Sequence, residues 1–328
     1  MDLKEFKNVF GIELFSPLTR YPLFQEGNFL LSETNEKFPI INNIPRFVPK
    51  ENYASAFGLQ WNTYRTTQLD SFTGIPISKE RLNRIAGGSL DIFQGKTTLE
   101  AGCGAGRFTE ILLQSGAKVF AADISSAVDA NYQNCSKYPD YFVVQADIVN
   151  LPLPQNQFDI VICIGVIQHT PDPEKTIAAL CSYLKPKGLL FIDHYSKSYP
   201  VTPIRRIFRY FLTKTGNETS LKFIQAYTRI FWPVHKFFFK YQHFFGFRKI
   251  RGLFLYWSPI VDYHDAYSSL GEKILYDWAI LDTYDTCTDF YKHLRSAEEI
   301  KEYLEKNGMN RIEITHAGNG IEARAVKA

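Results

Sequence analysis

The chain has 328 residues, 45% hydrophobic and 22% charged, an ordinary globular balance with room for one large domain and appendages. No run reaches the roughly 18 uninterrupted apolar residues of a membrane span, and Met1–Lys7 lacks the apolar stretch of a signal peptide, so a cytoplasmic protein is expected. Five scattered cysteines with no C-x-x-C pair argue against a zinc site and a disulfide framework, and no metal is expected.

Residues 1–50 are short apolar runs cut by Pro, Gly and Asn. Phe29–Leu31 and Phe38–Ile41 read as small strands, with Asn42-Asn43 as a turn before Ile44. Residues 51–95 read as a helical cap. From 96 the pattern alternates. Thr97–Ala101, Lys118–Asp123, Tyr141–Asp147, Phe158–Gly165 and Gly188–Tyr195 read as strands. Arg107–Gln114, Ser126–Cys135 and Pro173–Leu184 read as the helices between them. Such βαβ alternation builds a parallel sheet with helices on both faces. Residues 200–290 form an aromatic, basic, mostly helical insertion. The core resumes with helix Ala297–Lys306 and strands Arg311–His316 and Glu322–Lys327. The expected core is therefore 96–199 plus 291–328.

The chemistry begins at Leu99-Glu100-Ala101-Gly102-Cys103-Gly104-Ala105-Gly106-Arg107. A strand ends, three glycines alternate and a helix starts, so exposed backbone N–H groups favour a carboxylate or phosphate. A dinucleotide fingerprint needs its third glycine at position 107, which is Arg. The carboxylate of a nucleoside–amino-acid cofactor fits better, although a plain structural turn also accounts for the glycines. Asp123 ends the second strand, where a carboxylate can accept both ribose hydroxyls. Asp147 ends the third, where it can accept adenine amino hydrogens. Each alone also suits a helix cap or a solvated strand end; together they lie where open α/β sheets place their ligands.

Several segments resemble the class I methyltransferases: Glu100–Gly106 their first motif, Ala122-Asp123-Ile124-Ser125 their ribose loop, and Gln145-Ala146-Asp147-Ile148 their adenine motif. Leu151–Asp159, Gly165–Pro173 and Leu184–Gly188 resemble the segments around their fourth and fifth strands. The resemblance implies a Rossmann-like seven-stranded, mostly parallel α/β sheet in order 3-2-1-4-5-7-6, its last strand antiparallel. It implies S-adenosylmethionine as cofactor, held by Glu100, Gly102, Gly104, Gly106, Asp123, Ile124, Ala146, Asp147, Ile148 and Gly165. An N-terminal helix covers the cofactor in related enzymes, which brings in Trp61 and Arg65, with Arg81 as another candidate for the methionine carboxylate.

Residues 16, 19, 32 and 35 fall where a small zinc-ribbon module fused to some bacterial methyltransferases carries cysteines. Here they are Ser16, Thr19, Ser32 and Asn35, which supply no thiolates. The segment reads as a metal-free version of that ribbon, with an unrelated β-rich extension as the alternative.

Methyl transfer to a hydroxyl gains from a base with pKa near neutrality, which His suits. His169 after strand four is the first candidate and His194 on strand five the second, with Tyr195 orienting the acceptor; His169 as a loop-stabilising residue is the alternative. Asp262, His264 and Asp265 form one polar cluster, and Asp282, Tyr284 and Asp285 another.

Residues 201–260 hold eleven Lys and Arg against one acid, Glu218, so this stretch carries +10 where the whole chain carries +3. It also holds eleven Phe, four Tyr and two Trp. Four readings stand open: a helical subdomain with a solvated basic face, a lid over the acceptor, a surface lying on an anionic membrane, and a nucleic-acid groove. The last ranks lower because no RNA-binding module accompanies it. The expected activity is methyl transfer to an O or N atom of a small-molecule or glycan acceptor. The alternatives are an RNA methyltransferase and a non-catalytic cofactor-binding protein. Nothing in the sequence indicates an oligomeric state.

Overall fold

A computed structural model describes residues 3–49 and 51–328; Met1 and Asp2 of the N-terminal stretch lie outside the described residues. The chain opens with helix α1 (Leu3–Phe10) and four short strands, β1 (Leu23–Glu26), β2 (Phe29–Ser32), β3 (Lys37–Ile41) and β4 (Ile44–Pro45), which form a separate antiparallel sheet. Asn42 and Asn43 both take positive φ, the backbone of a tight hairpin turn that Asn tolerates. Helix α1 and strand β1 were not anticipated. Phe6 and Phe10, one helical turn apart, account for α1: the Phe6 ring lies 4.5 Å from Phe142 and 5.8 Å from Phe120, sealing one face of the main sheet.

Three of the four ribbon positions come together, but on a carboxylate. Ser16 Oγ donates to Glu36 Oε1 (2.8 Å), Ser32 Oγ to Glu36 Oε2 (2.9 Å), and Thr19 Oγ1 also to Oε2. The fourth donor is Thr34 (3.1 Å), where position 35 was expected; Asn35 is instead the positive-φ residue of the turn. The four hydroxyl donors hold the Glu36 carboxyl below its usual pKa, against the opposing effect of burial.

The cap follows as α2 (Ser55–Thr63), α3 (Asp70–Thr73) and α4 (Ile77–Ile85). The core alternates β5 (Thr97–Ala101), α5 (Arg107–Gln114), β6 (Lys118–Asp123), α6 (Ala127–Cys135), β7 (Tyr141–Gln145), β8 (Phe158–Cys163), α7 (Pro173–Tyr183) and β9 (Leu184–Tyr195). The insertion supplies α8 (Pro203–Leu212), α9 (Asn217–Tyr241), α10 (Phe247–Trp257), α11 (His264–Tyr267) and α12 (Glu272–Thr288). Helix α13 (Ala297–Lys306) and strands β10 (Met309–Thr315) and β11 (Gly320–Lys327) close the chain.

The main sheet runs β7-β6-β5-β8-β9-β11-β10, which is the expected order 3-2-1-4-5-7-6. β11 lies antiparallel to both its neighbours, and the other pairings are parallel. Helices cover both faces, so β7 is buried along its whole length and β8 everywhere but Asp159, as near-continuous apolar strands require. All five parallel strands point their carboxyl ends at one edge, and the cap and insertion close over that edge.

Candidate functional site

The β5–α5 turn is fixed by its backbone. The Gly102 N–H donates to the Ala122 carbonyl at 2.7 Å, with φ at +79°. A Cβ on Gly102 would stand 2.3 Å from Val166 Cγ2, so any side chain there collides with the loop after β8. Two residues on, the Gly104 N–H donates to Asp123 Oδ2 at 3.0 Å. Asp123 Oδ1 accepts from the Ser125 N–H (2.8 Å) and Oγ (2.7 Å). Burial raises the Asp123 pKa against those hydrogen bonds. Asp147 lies at the next strand end and caps a short 3₁₀ turn, its Oδ1 accepting the Val149 N–H at 3.0 Å.

These groups open into one cavity of about 850 Å³, large enough for more than a single small ligand. Trp61, Gly102, Gly104, Asp123, Ile124, Asp147, Ile148 and Gly165 all line it. So does Gln60, whose buried Oε1 has no hydrogen-bond partner among the described residues and therefore calls for a ligand donor. Carboxylates at two successive strand ends, a side-chain-free turn and an orphaned acceptor suit a ligand with an amino-acid end, ribose hydroxyls and an aminated base.

Residues 99–192 match the family model described as a methyltransferase domain. The matched residues are those that carry the β5–α5 turn, Asp123 and Asp147. Over 138 residues the chain is 32% identical to a ubiquinone biosynthesis O-methyltransferase of Pseudomonas paraeruginosa, covering 40% of this chain and 59% of the relative. Against the enzyme of that name from Coxiella burnetii it is 31% identical over 137 residues, covering 40% and 58%. The chain thus spans less than two thirds of the curated relatives it matches. A solved putative S-adenosyl-L-methionine-dependent methyltransferase from Methanococcus maripaludis is similar with a TM-score of 0.45 at 13% identity, covering 85% of this chain and 96% of the other.

Five of the anticipated residues, Glu100, Gly106, Ala146, Arg65 and His194, do not line the cavity. Glu100 is buried beneath the turn, hydrogen-bonded to Thr109, and burial pushes its pKa up to about 8. Gly106 serves packing: a Cβ there would meet Cys135 Sγ at 2.9 Å. Ala146 is fully buried, its N–H donating to the Asp123 carbonyl at 3.0 Å, so it braces the ribose-side strand end from behind. Arg65 turns outward and donates to Asn134 Oδ1 on α6 at 2.6 Å. Arg81 does line the cavity, ion-paired with the buried Asp193, and Arg84, Arg107 and Arg205 line it as well.

His194 is the fifth. Side chains alternate across a strand. Asp193 reaches the Gly165 N–H and Tyr195 lines the cavity, so His194 between them points to the opposite face. It is buried, its Nδ1 2.9 Å from the Tyr195 carbonyl, and burial lowers its pKa to about 4.

His169 does line the cavity, on the 3₁₀ turn that follows β8. Its Nδ1 lies 3.1 Å from the Tyr291 carbonyl and 3.4 Å from Asp289 Oδ2. A backbone carbonyl can only accept, so Nδ1 carries the proton and, in the neutral ring, Nε2 carries the lone pair. Burial alone lowers the His169 pKa, but Asp289 and its neighbour Asp285 outweigh it and the net shift is upward. The Phe57 and Tyr195 rings, each 5.3 Å away, hold the imidazole from two sides.

The far wall was only partly foreseen. Tyr199 stacks on Tyr195 at 3.9 Å, and α12 contributes Trp278, Asp282 and Asp285. Asp282 is satisfied by Tyr263, Trp278 Nε1 (3.0 Å) and Gln68 Nε2 (3.2 Å). Asp285 Oδ1 is buried without a partner, and burial pushes its pKa up to about 7. Tyr284 of the same cluster points away, packed in the insertion with its hydroxyl on the Asn217 carbonyl. The i, i+3 spacing of Asp282 and Asp285 was the available signal that one face of a helix carries both.

The other polar cluster stands apart from the cavity. Asp262 accepts from His235 Nδ1 and His264 Nδ1, each at 2.7 Å, while His235 Nε2 meets Ser258 Oγ at 2.9 Å. Among the described residues no group of His, Cys, Asp or Glu has the geometry of a metal site.

Proposed function

We propose that the protein transfers the methyl group of S-adenosylmethionine to an oxygen of a small-molecule acceptor in the cytoplasm, with nitrogen acceptors and glycan intermediates as the wider class. The observation that carries this reading is the meeting, in one cavity, of the Gly102–Gly104 turn with Asp123 and Asp147 on one side and His169 on the other. Oxygen is favoured because the curated relatives are named as O-methyltransferases and because the wall opposite the turn offers a base. Five buried, unpaired cysteines fit a reducing compartment.

S-adenosylmethionine supplies an activated methyl group on a sulfonium. The chain's own residues do the rest. Asp123 accepts the ribose hydroxyls, Asp147 the base amino group, and Trp61 and Gln60 cover the ligand from α2. Tyr195 and Tyr199 orient the acceptor. His169 Nε2 accepts the proton released as the acceptor oxygen gains its methyl carbon, and Asp289 stabilises the resulting imidazolium. The surrounding Phe57, Tyr195 and Trp278 keep water from competing.

The test is incubation with methyl-labelled S-adenosylmethionine and matched panels of phenols, alcohols, sugars and amines. Label is expected in an oxygen-methylated product, and His169→Ala is expected to lower turnover by about 10²-fold or more. Cofactor binding with no label transfer to any acceptor would leave a binding protein rather than a transferase.

A further inference from the structure

Beyond the methyl-transfer reading, the geometry points to α8–α10 as a docking surface for an anionic lipid bilayer. Among the described residues, thirteen of the nineteen exposed large apolar side chains fall within positions 201–260. Scattered exposed apolar residues are normal, but this density marks an interaction surface.

Helix α9 shows the arrangement. Leu221, Ile224, Thr228, Trp232 and His235 form its buried face. Phe223, Ile230 and Phe237, spaced by seven residues, lie half a turn away from that face and are exposed. The stripe continues past the helix end into Phe244 and Phe245. Lys222, Arg229, Lys236 and Lys240 gather on one flank between the two faces, and all four are exposed. A helix with a third, outward apolar face beside a row of cations is built for an interface between water and hydrocarbon.

The neighbouring helices repeat the pattern. On α10, Ile250, Leu253 and Trp257 are exposed at i, i+3, i+7, with Arg248 and Lys249 beside them. On α8, Ile207, Tyr210 and Phe211 are exposed alongside Arg206, and the Lys214 Nζ sits 3.5 Å from the Tyr210 ring centroid. Of the eight exposed cations in this stretch, Lys236 pairs with Glu272; the other seven form no ion pair among the described residues.

Charge selects the occupant. A two-fold pairing of this face with a second copy would set those seven unpaired exposed cations against the same seven. Nucleic acid would match the charge and stack on the exposed aromatics, but Ile207, Ile230, Ile250 and Leu253, exposed among them, give bases nothing and suit acyl chains. An anionic bilayer uses both features, cations at the headgroups and apolar side chains at the acyl boundary. Helix α8 also supplies Arg205 to the cavity wall, so the docking helices and the proposed acceptor space adjoin.

The test is co-sedimentation of the full chain with phosphatidylcholine vesicles and with equimolar phosphatidylcholine–phosphatidylglycerol vesicles, read together with Trp257 fluorescence. Binding is expected to the anionic vesicles only, weakening with salt and shifting the fluorescence to the blue. Each surface cation near such a membrane contributes about fivefold, so Lys222→Gln/Arg229→Gln/Lys240→Gln should reduce binding by roughly 100-fold. Phe244→Ser/Phe245→Ser should abolish the fluorescence shift at an unchanged melting temperature, since both rings are exposed. No sedimentation with either vesicle, equal sedimentation with both, RNA binding without vesicle binding, or a dimer that ignores vesicles would each overturn the proposal. None of these outcomes depends on methyl transfer.

Discussion

The backbone N–H of Gly104 points at the carboxylate of Asp123, 3.0 Å away, across the gap between two adjacent strands. That hydrogen bond ties the turn after β5 to the end of β6, so the turn proposed to meet a ligand's amino-acid end and the acid proposed to meet its ribose are held together before any ligand arrives.

Asp123→Ala removes both the ligand acceptor and the tie to Gly104 and Ser125. Affinity for S-adenosylhomocysteine should fall by about 1–3 kcal/mol, measured calorimetrically. Asp147→Ala keeps the turn intact and should lose affinity with a smaller change in melting temperature, because only the Val149 N–H loses its partner within the protein.

A neutral His169 is needed to take a proton, and Asp289 raises its pKa above 6.5. Turnover should therefore rise with pH through a midpoint above 6.5. Asp289→Asn removes the largest upward contribution while burial persists, so the midpoint should move to lower pH and maximal turnover should fall. A pH–rate profile of the two proteins checks both statements.

Asp285 offers the opposite trade. Its carboxyl is buried beside Asp289 and Asp282, opposed by His169 and Lys292, with Oδ1 unpartnered and a pKa pushed up to about 7. An acid whose folded pKa exceeds its unfolded value near 3.9 destabilises the fold increasingly between those two pH values, and fully above the upper one. Asp285→Asn should then stabilise the ligand-free protein at pH 8 by about 4 kcal/mol, with the gain vanishing near pH 4. It should also weaken acceptor turnover, since the orphaned oxygen faces the cavity. Parallel melting curves and assays test the pair of effects.

Asp262 works with the usual sign. Hydrogen bonds from His235 and His264 outweigh burial and hold its carboxyl well below the normal range, so its stabilisation is complete above the unfolded pKa and is lost as pH falls towards the folded one. Asp262→Ala leaves two buried imidazoles without their shared acceptor and Arg251 with Asp265 as its remaining carboxylate, and should cost about 3 kcal/mol. The loss should appear in urea unfolding while affinity for S-adenosylhomocysteine, bound away from this cluster, stays the same.

The cofactor side was readable because its rules are local. A glycine turn after one strand and acids closing the next two are set by sequence spacing, and the carboxyl ends of parallel strands place them together. Where contacts between distant segments decide, reading by spacing failed. Arg65 sits close to Trp61 in sequence, yet Asn134 of α6 draws it outward. His194 is a miss of another kind, because the local alternation of strand β9 already sets it on the face opposite Tyr195. Glu100 and Gly106 belong to the turn motif but support it from beneath. The acceptor wall depends on how α12, seventeen residues of a long insertion, packs back over the strand ends, and nothing before residue 270 foretells that. The Glu36 knot was visible only as missing cysteines; that a carboxylate gathers the hydroxyls required the folded hairpin.

Titration of the intact protein with S-adenosylhomocysteine in a calorimeter addresses the main claim most directly. One molecule should bind per chain with measurable heat, and Asp123→Ala should weaken that binding without unfolding the protein. No heat from a folded, monodisperse wild type, or affinity indifferent to Asp123→Ala and Asp147→Ala alike, would contradict it.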